Sequence, residues 1–523
     1  MRYWAVLCLF LAACANVVAP TGGERDTTPP AFVSALPENF QLNFQGGIIR
    51  INFDEYIKLQ QMQNILISPS LEEKPEITER YKSLYIDLKG QKLSPNTTYT
   101  INFAQSITDL NEGNKLQDFR YVFSTGPYLD SLVVEGRVLS ADKLAAKENL
   151  LIGLYPEEQG DSALYKHKPF YFGRTAADGS FKLQNLKYGR FRLFVFDDED
   201  NNLLFKATEA MAYADSIIVT DTTSSTIDLR LFTDPLGDPK PKDVKVIKTG
   251  VVRVKYASPI DSATKVEFLN TDAPFRLLIE HDSLLVYHQE RDKDSLRLVI
   301  ERPNGRDTIR ISNRKMADRS QGIAQLQKPT NNYPSIFEPL ELRFDEPIVQ
   351  FDSSRFTWKR DSTAIELPFS WTIQGRSLFV QPQFEPNLRY ELFIDSGAVQ
   401  GFLGASSDTF RFFLNSGNAE LYGNLLISDI DSLHTGDLIQ LLDEGNMLIR
   451  QHIKQAHDEE VRFDRLRPNS YRLRVVRDSN QNGRFDGGSY VLKQQPETIW
   501  IAPDLLRLRA NWDLDFSLKG LVK

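Results

Sequence analysis

Short stretches in which apolar and polar residues alternate recur along the whole chain. Examples are RINF at 50–53, SLYIDL at 83–88, TYTINF at 98–103, FRLFVF at 191–196, LRLVIE at 296–301 and YRLRVV at 471–476. A period of two places alternate side chains on one face, the pattern of a strand with one buried side. The runs are rich in β-branched and aromatic residues and are broken by Asn, Gly, Pro and Asp, as strands separated by turns should be. Helical spacing is limited to 141–148 and 446–457, where the sequence predicts two helices. Many short strands with frequent turn signals predict an all-β chain of tandem β-sandwiches.

Constant offsets between matching segments divide the chain. Ile51–Glu55 matches Leu342–Glu346 at 291 residues; Pro95, Asn96 and Tyr99 match Pro386, Asn387 and Tyr390 at the same offset, as does Phe119–Gly126 with Phe410–Gly417. A second register aligns Gly136–Tyr155 with Gly423–Leu442 at 287 and Asp178–Asp198 with Asp458–Asp478 at 280. The chain is thus predicted to carry two copies of a two-domain block, with a more divergent Ig-like domain between them announced by VVRVKY at 251–256 and DTIRI at 307–311. The expected domains are 31–127, 131–235, 243–326, 333–417 and 419–516. Short linkers join them, and the string reads as an extended one.

The first of these, led by DTTPP and containing Asp54, Glu55, the turn Pro95–Asn96 before Tyr99 and the loop DLNEGNKL at 109–116, resembles the Ig-like domain named after the S-layer protein SbsA. Tyr99 and Tyr390 are predicted to act structurally. A tyrosine near the start of a late strand, its hydroxyl bonded back to the preceding turn, is the tyrosine corner of sandwiches. Residues 131–235 and 419–516 resemble carboxypeptidase-regulatory or transthyretin-like domains through Asp178, Gly179, Phe181, Leu186, Gly189 and Leu193. The second copy departs from that pattern, with Glu459 and Glu460 at the turn and Asn469 in place of Gly189. The combination resembles bacterial Ig-like domain-containing lipoproteins. That resemblance implies a place in the cell envelope and transfers no catalytic residue.

Composition narrows the class further. The 523 residues are 41% hydrophobic and 25% charged, with a net charge of −8, which is globular composition without a basic footprint for nucleic acid. The sole long apolar run is MRYWAVLCLFLAAC at the N-terminus, too short to span a bilayer. One basic residue, an apolar core and small residues describe a secretory signal over 1–14. Leu11–Ala12–Ala13–Cys14 also resembles a lipobox, which implies lipidation of Cys14 and a membrane as partner. Each buried acyl methylene contributes about 0.8 kcal/mol, so two or three chains are needed for stable anchoring. Ala15 carries no inner-membrane retention signal, so an outer membrane is expected, its face unresolved. Residues 15–30 read as a tether reaching on the order of 50 Å when extended. Cys8 leaves with the signal, so the mature chain has no thiol to pair and depends on its cores.

Candidate chemistry is sparse. Asp478, Asn480, Asn482 and Asp486, with Gly483 at the turn, follow the first three-quarters of a calcium loop. Ser489 stands where a bidentate glutamate belongs, which would leave weak binding, roughly 0.1–1 mM, or a plain β-turn. In the first copy Asp198, Asp200 and Asn202 persist, but Leu203 and Lys206 replace the glycine and the ninth-position acid, which predicts a solvated acidic loop. The pairs Asp54/Glu55 and Asp345/Glu346 are neighbours on strands and should point to opposite faces, unlike the carboxylates of a glycosidase. His452 and His457 lie off the spacing of a helical metal pair, and His281–Asp282–Ser283 reads as a surface turn. The aromatic run Tyr165–Phe172 reads as strand alternation more readily than as a sugar platform.

The function expected from these features is a membrane-anchored envelope lipoprotein, non-enzymatic and without a cofactor beyond weak calcium, acting as a spacer or interaction module toward an unidentified protein or glycan. A carbohydrate-binding or carbohydrate-processing protein and a calcium-stiffened adhesin are the alternatives.

Overall fold

The computed structural model describes residues 25–522 except 221–225, 237–239, 257–259, 261–262, 281, 303–304, 313–322, 325, 328–338, 361–365 and 383–384. Cys14 and the signal lie outside the described residues. The alternating segments form strands whose burial alternates with them. In Ile48–Phe53, for example, Ile49, Ile51 and Phe53 are buried while Ile48 and Arg50 are exposed.

The described residues are all-β and form five β-sandwiches. In the first, a sheet ordered Phe32–Leu36, Ile48–Phe53, Ser83–Asp87, Glu76–Arg80 shares a core with a sheet ordered Leu66–Ser68, Thr98–Asn102, Arg120–Ser124. The third repeats this order with Asp243–Lys248, Val251–Lys255, Ser283–His288, Phe275–Glu280 over Lys265–Phe268, Ser295–Arg302, Gly305–Ser312. The fourth does so with Leu326–Gln327, Leu340–Phe344, Ser377–Pro382, Phe369–Gln374 over Phe356–Arg360, Arg389–Ile394, Phe410–Asn415.

The second and fifth sandwiches share another plan, in which the first strand pairs in parallel with the last. Leu132–Ser140 lies between Ser180–Leu186 and the parallel Thr226–Leu231. Gly423–Ser428 lies between Val461–Leu466 and the parallel Asp513–Ser517. Opposite these lie the sheets centred on Leu151–Pro156 and Gly189–Phe196, and on Leu438–Leu442 and Asn469–Val476. Each has a core of its own, built on Leu154, Leu193 and Val195 or on Leu441, Leu473 and Val475. Burying such a side chain fully contributes about 1.5–3 kcal/mol, and this is the stabilisation available to the described residues, which include no cysteine.

Four expectations change. Neither predicted helix forms. Residues 141–148 are turns and a bridge, and 446–457 contains the strand Leu448–Ile453, because pairing with Leu438–Leu442 outweighs weak local periodicity. The join drawn at 326 moves N-terminal to Ile323, since Ile323–Ala324 and Leu326–Gln327 pair with Ser406–Ser407 and Leu340–Phe344 of the fourth sandwich. The end of the tether is tied down: Asn114 Nδ2 donates to the carbonyls of Asp26 and Thr28 at 3.0 and 3.3 Å. Finally, the chain is not strung out. The fifth sandwich returns to the second, where Ser489 Oγ donates to Asp234 at 2.9 Å and Tyr490 Oη donates to the carbonyl of Asp161 at 3.2 Å.

Candidate functional site

The four calcium candidates converge on one loop. Asp478 Oδ1 accepts the N–H of Asn482 at 3.1 Å and Oδ2 that of Gly483 at 2.7 Å. These bonds curl the chain after strand Asn469–Val476, with Gln481 and Gly483 at φ of 56° and 75°. Asp486 Oδ2 accepts the side-chain amides of Asn480 and Asn482 at 2.6 and 2.7 Å. Two carboxylates and two amides thus face one another, an oxygen set suited to a hard cation. Both carboxylates are already hydrogen-bonded by the loop itself, which is the geometry of an Asx-closed turn.

Sequence reasoning missed Glu497. It lies beyond an insertion, yet Oε1 accepts the N–H of Ser479 and Oε2 that of Asp486, each at 3.0 Å. Burial pushes its carboxyl up, reinforced by the facing charges of Asp486 and Asp478. The counterpart is Glu209, whose Oε2 accepts the N–H of Lys206 at 2.9 Å and whose carboxyl burial also raises. The signal available was positional, since each glutamate stands two residues before the strand that follows, Met211–Tyr213 or Ile499–Ile501.

The loop of the first copy is not the solvated turn that its sequence suggests. Asp198 is buried, accepts the N–H of Asn202 at 3.0 Å and pairs with Arg174 at 3.0 Å. Leu203 takes the left-handed conformation of Gly483, at φ 64°. Asp198, Asp200 and Glu209 bring ligand atoms within 4.8 Å of one another. The Lys206 ammonium pairs with Asp200 and neutralises part of that charge.

Tyr99 and Tyr390 occupy equivalent corners. The Tyr99 hydroxyl accepts the N–H of Ser94 at 2.8 Å and its ring stacks on Phe123 at 5.2 Å. The Tyr390 hydroxyl accepts the N–H of Glu385 at 2.7 Å and its ring stacks on Trp358 at 5.7 Å. Each fixes the turn before its strand to the core.

Asp345 and Glu346 do not splay apart. They lie in the turn after strand Leu340–Phe344, and both reach the Lys248 ammonium, at 2.7 and 3.3 Å, across the junction of the third and fourth sandwiches. Asp54 instead accepts the N–H of Ala31 at 2.7 Å. Glu55 faces Asp109, Asp54 and Asp26, and burial followed by those charges raises its carboxyl. His452 and His457 meet Asp458 at 2.7 and 3.8 Å on a hairpin, not on a helix. His281 lies outside the described residues, and Asp282 accepts the hydroxyl of Ser283 at 2.8 Å. In the 165–172 run, Tyr171 and Phe172 are buried, whereas Tyr165 is exposed and sits edge-on to Phe205.

A cleft of about 970 Å³ opens between the first and second sandwiches. Gln61, Asn64 and Asn102 line one wall, and Arg174, Gln184 and Lys182 the other. Ser68 and Phe172 join the two walls, Ser68 Oγ accepting the N–H of Phe172 at 3.1 Å.

Residues 26–125 match the model of a bacterial Ig-like domain. No curated protein sequence gives a significant match. Among solved structures, the chain is similar to domains 1–6 of the surface layer protein SbsC, with 11% identity over 92% of this chain and 68% of that one, at a TM-score of 0.15. It is also similar to BcpA, the major pilin subunit of Bacillus cereus, with 8% identity over 74% of this chain and 98% of that one, at a TM-score of 0.15. The BSP domain of a biofilm-associated protein gives 10% identity over 87% and 96%, at a TM-score of 0.14. Overlaps this slight carry no argument about function; the segment 26–125 is Ig-like, and the chain around it is a tandem of β-sandwiches.

Proposed function

We propose that the protein is a non-enzymatic component of the cell envelope, held to an outer membrane by acyl chains on Cys14 and acting as a structural or interaction module. The observation that carries the role is that the first sandwich is joined to the second, and the third to the fourth, by built contacts. Thr98 and Asp130 exchange two bonds between the first sandwich and the start of the second, at 3.0 and 2.7 Å. Val251, Leu285 and Tyr287 of the third share a small apolar cluster with Phe402 of the fourth. Such junctions hold the orientation of one domain on the next, which is what a rigid spacer requires.

The anchor rests on the sequence LAAC at 11–14. A clickable palmitate analogue is expected to label the wild-type protein and to be lost with Cys14→Ala, which also shifts the protein from the membrane to the soluble fraction. A Cys14→Ala protein that stays with the membrane, or a wild-type protein without label, overturns the anchoring.

A further inference from the structure

The return of the fifth sandwich onto the second depends on one insertion. Three positions separate Lys206 from Glu209, whereas eleven separate their counterparts Asp486 and Glu497. The added residues form an arm closed by two backbone bonds between Ser489 and Gln494, both 2.8 Å. At its tip Tyr490 is 5% exposed, its ring 5.0 Å from that of Tyr213 and 5.5 Å from that of Phe194. Beside it the buried Asp234 carboxylate accepts the Ser489 hydroxyl at 2.9 Å and the N–H of Val491 at 3.0 Å. Gln495 Nε2 donates to the carbonyl of Tyr213 at 3.1 Å, and Lys493 pairs with Asp161 at 3.0 Å. Behind the arm, Leu144 packs against Leu438, Val476 and Ile499, and Arg474 donates to the carbonyl of Asp142 at 3.1 Å.

We propose that this arm is a strap that closes residues 236–486 into a loop and releases as a unit, with both sandwiches still folded. Two observations carry the inference. The arm contributes nothing to the core of the fifth sandwich, whose buried cluster runs from Leu425 to Val522 without a residue between Val475 and Ala502. Its attachments are the Tyr490 ring, Phe485 at its base, which packs against the same cluster, and a few polar bonds, each of which water replaces at small net cost, and the patch behind it rests on the single side chain of Leu144. While the strap is closed, tension between the first sandwich and the C-terminus passes through Tyr490 and Asp234 and bypasses the third and fourth sandwiches. Once it opens, those two sandwiches join the line and the molecule lengthens.

The test uses the full chain carrying Cys14→Ala, measured by small-angle scattering alone and with Tyr490→Ala, with Asp234→Ala, or with Tyr490→Ala and Leu144→Ser together. The closed form is expected without a further substitution. Tyr490→Ala is expected to increase the largest dimension by about 30 Å or more, one domain diameter, with the thermal melt of the fifth sandwich unchanged. Unaltered dimensions in all three variants overturn the proposal, as does an expansion accompanied by loss of fifth-sandwich structure. A concentration-dependent dimer in place of a longer monomer also overturns it, because the arm would then be binding a second copy. None of these outcomes depends on whether Cys14 is acylated.

Discussion

The second and fifth sandwiches share strand order, parallel first-to-last pairing and the left-handed residues of two turns, yet they differ in what their matching loops do. Asn201 and Leu203 in one copy and Gln481 and Gly483 in the other take the same backbone turn. Around it, one copy places Arg174 and Lys206 on its acids, while the other places Asp486 and two asparagines and then extends an arm. A duplicated frame has kept its backbone and changed its charges. The conformation is fixed by the carboxylate that caps two amides, so the remaining positions are free to diverge.

The strongest way to test that equivalence is through the cores. Leu193→Ala and Leu473→Ala, both fully buried, are each expected to cost about 2–5 kcal/mol, read from the melting of the affected sandwich. A cost in one copy alone would show that the two cores are not built alike. Next, Asp478→Ala leaves the Gly483 amide without its acceptor and the Asn482 amide with Asn480 Oδ1 alone, and is expected to cost about 1–3 kcal/mol in urea unfolding. Asp198→Ala also takes the carboxylate from Arg174, which keeps the Asn149 carbonyl and Asn201 Oδ1 as acceptors, and is expected to cost more. Equal losses would mean that the ion pair contributes nothing.

Calcium is expected to separate the copies more gently. At tenfold excess over its dissociation constant it would stabilise the fifth sandwich by about 1.4 kcal/mol and leave the second unchanged, because Lys206 stands in place of Asp486. Asp486→Lys should remove the rise, and a wild-type melt identical in calcium and chelator ends the calcium reading.

Glu209 and Glu497 add a pH dependence of one sign. Their carboxyls are raised, so their contribution to stability is complete below the ordinary glutamate value of 4.5 and is lost as pH rises through the raised one. Glu497→Gln is therefore expected to gain relative to the wild type between pH 4.5 and 7, seen as a rising difference in urea midpoint. A difference that falls reverses the assignment. Gly189→Asn should cost about 1 kcal/mol in the same urea series, all of it from displacing the Phe191 ring, because neither Gly189 nor Asn469 lies at positive φ. The added Cβ would come within 2.8 Å of the edge of the buried Phe191 ring, which has to give way, whereas the fifth sandwich has Tyr471 two residues after Asn469 at the matching place.

That last pair shows where the sequence misleads. The glycine pattern at 189 places the demanding turn there, yet the left-handed position falls on Asn185 and Arg465. Gly179 is the residue that needs its hydrogen: at φ 80° an added Cβ would meet the carbonyl oxygen of Val138 at 2.4 Å. Strands, the all-β class and the Tyr99 and Tyr390 corners are legible because alternation and turn residues act locally. Glu497, the convergence of Asp345 and Glu346 on Lys248, and the Tyr490 contact are not. The last two depend on groups brought together from distant parts of the chain, 98 and 329 residues apart, and no local spacing encodes them, while Glu497 is hidden by the eleven positions that separate it from Asp486.

The strands at Ile323–Ala324 and Leu326–Gln327 bear on how the molecule can be divided. A recombinant fragment begun at 333, where composition suggests a clean cut, would lack both, and would leave Ser406–Ser407 and Leu340–Phe344 with bare backbone along one side. Such a fragment should self-associate, whereas one begun ahead of 323 brings its own cover.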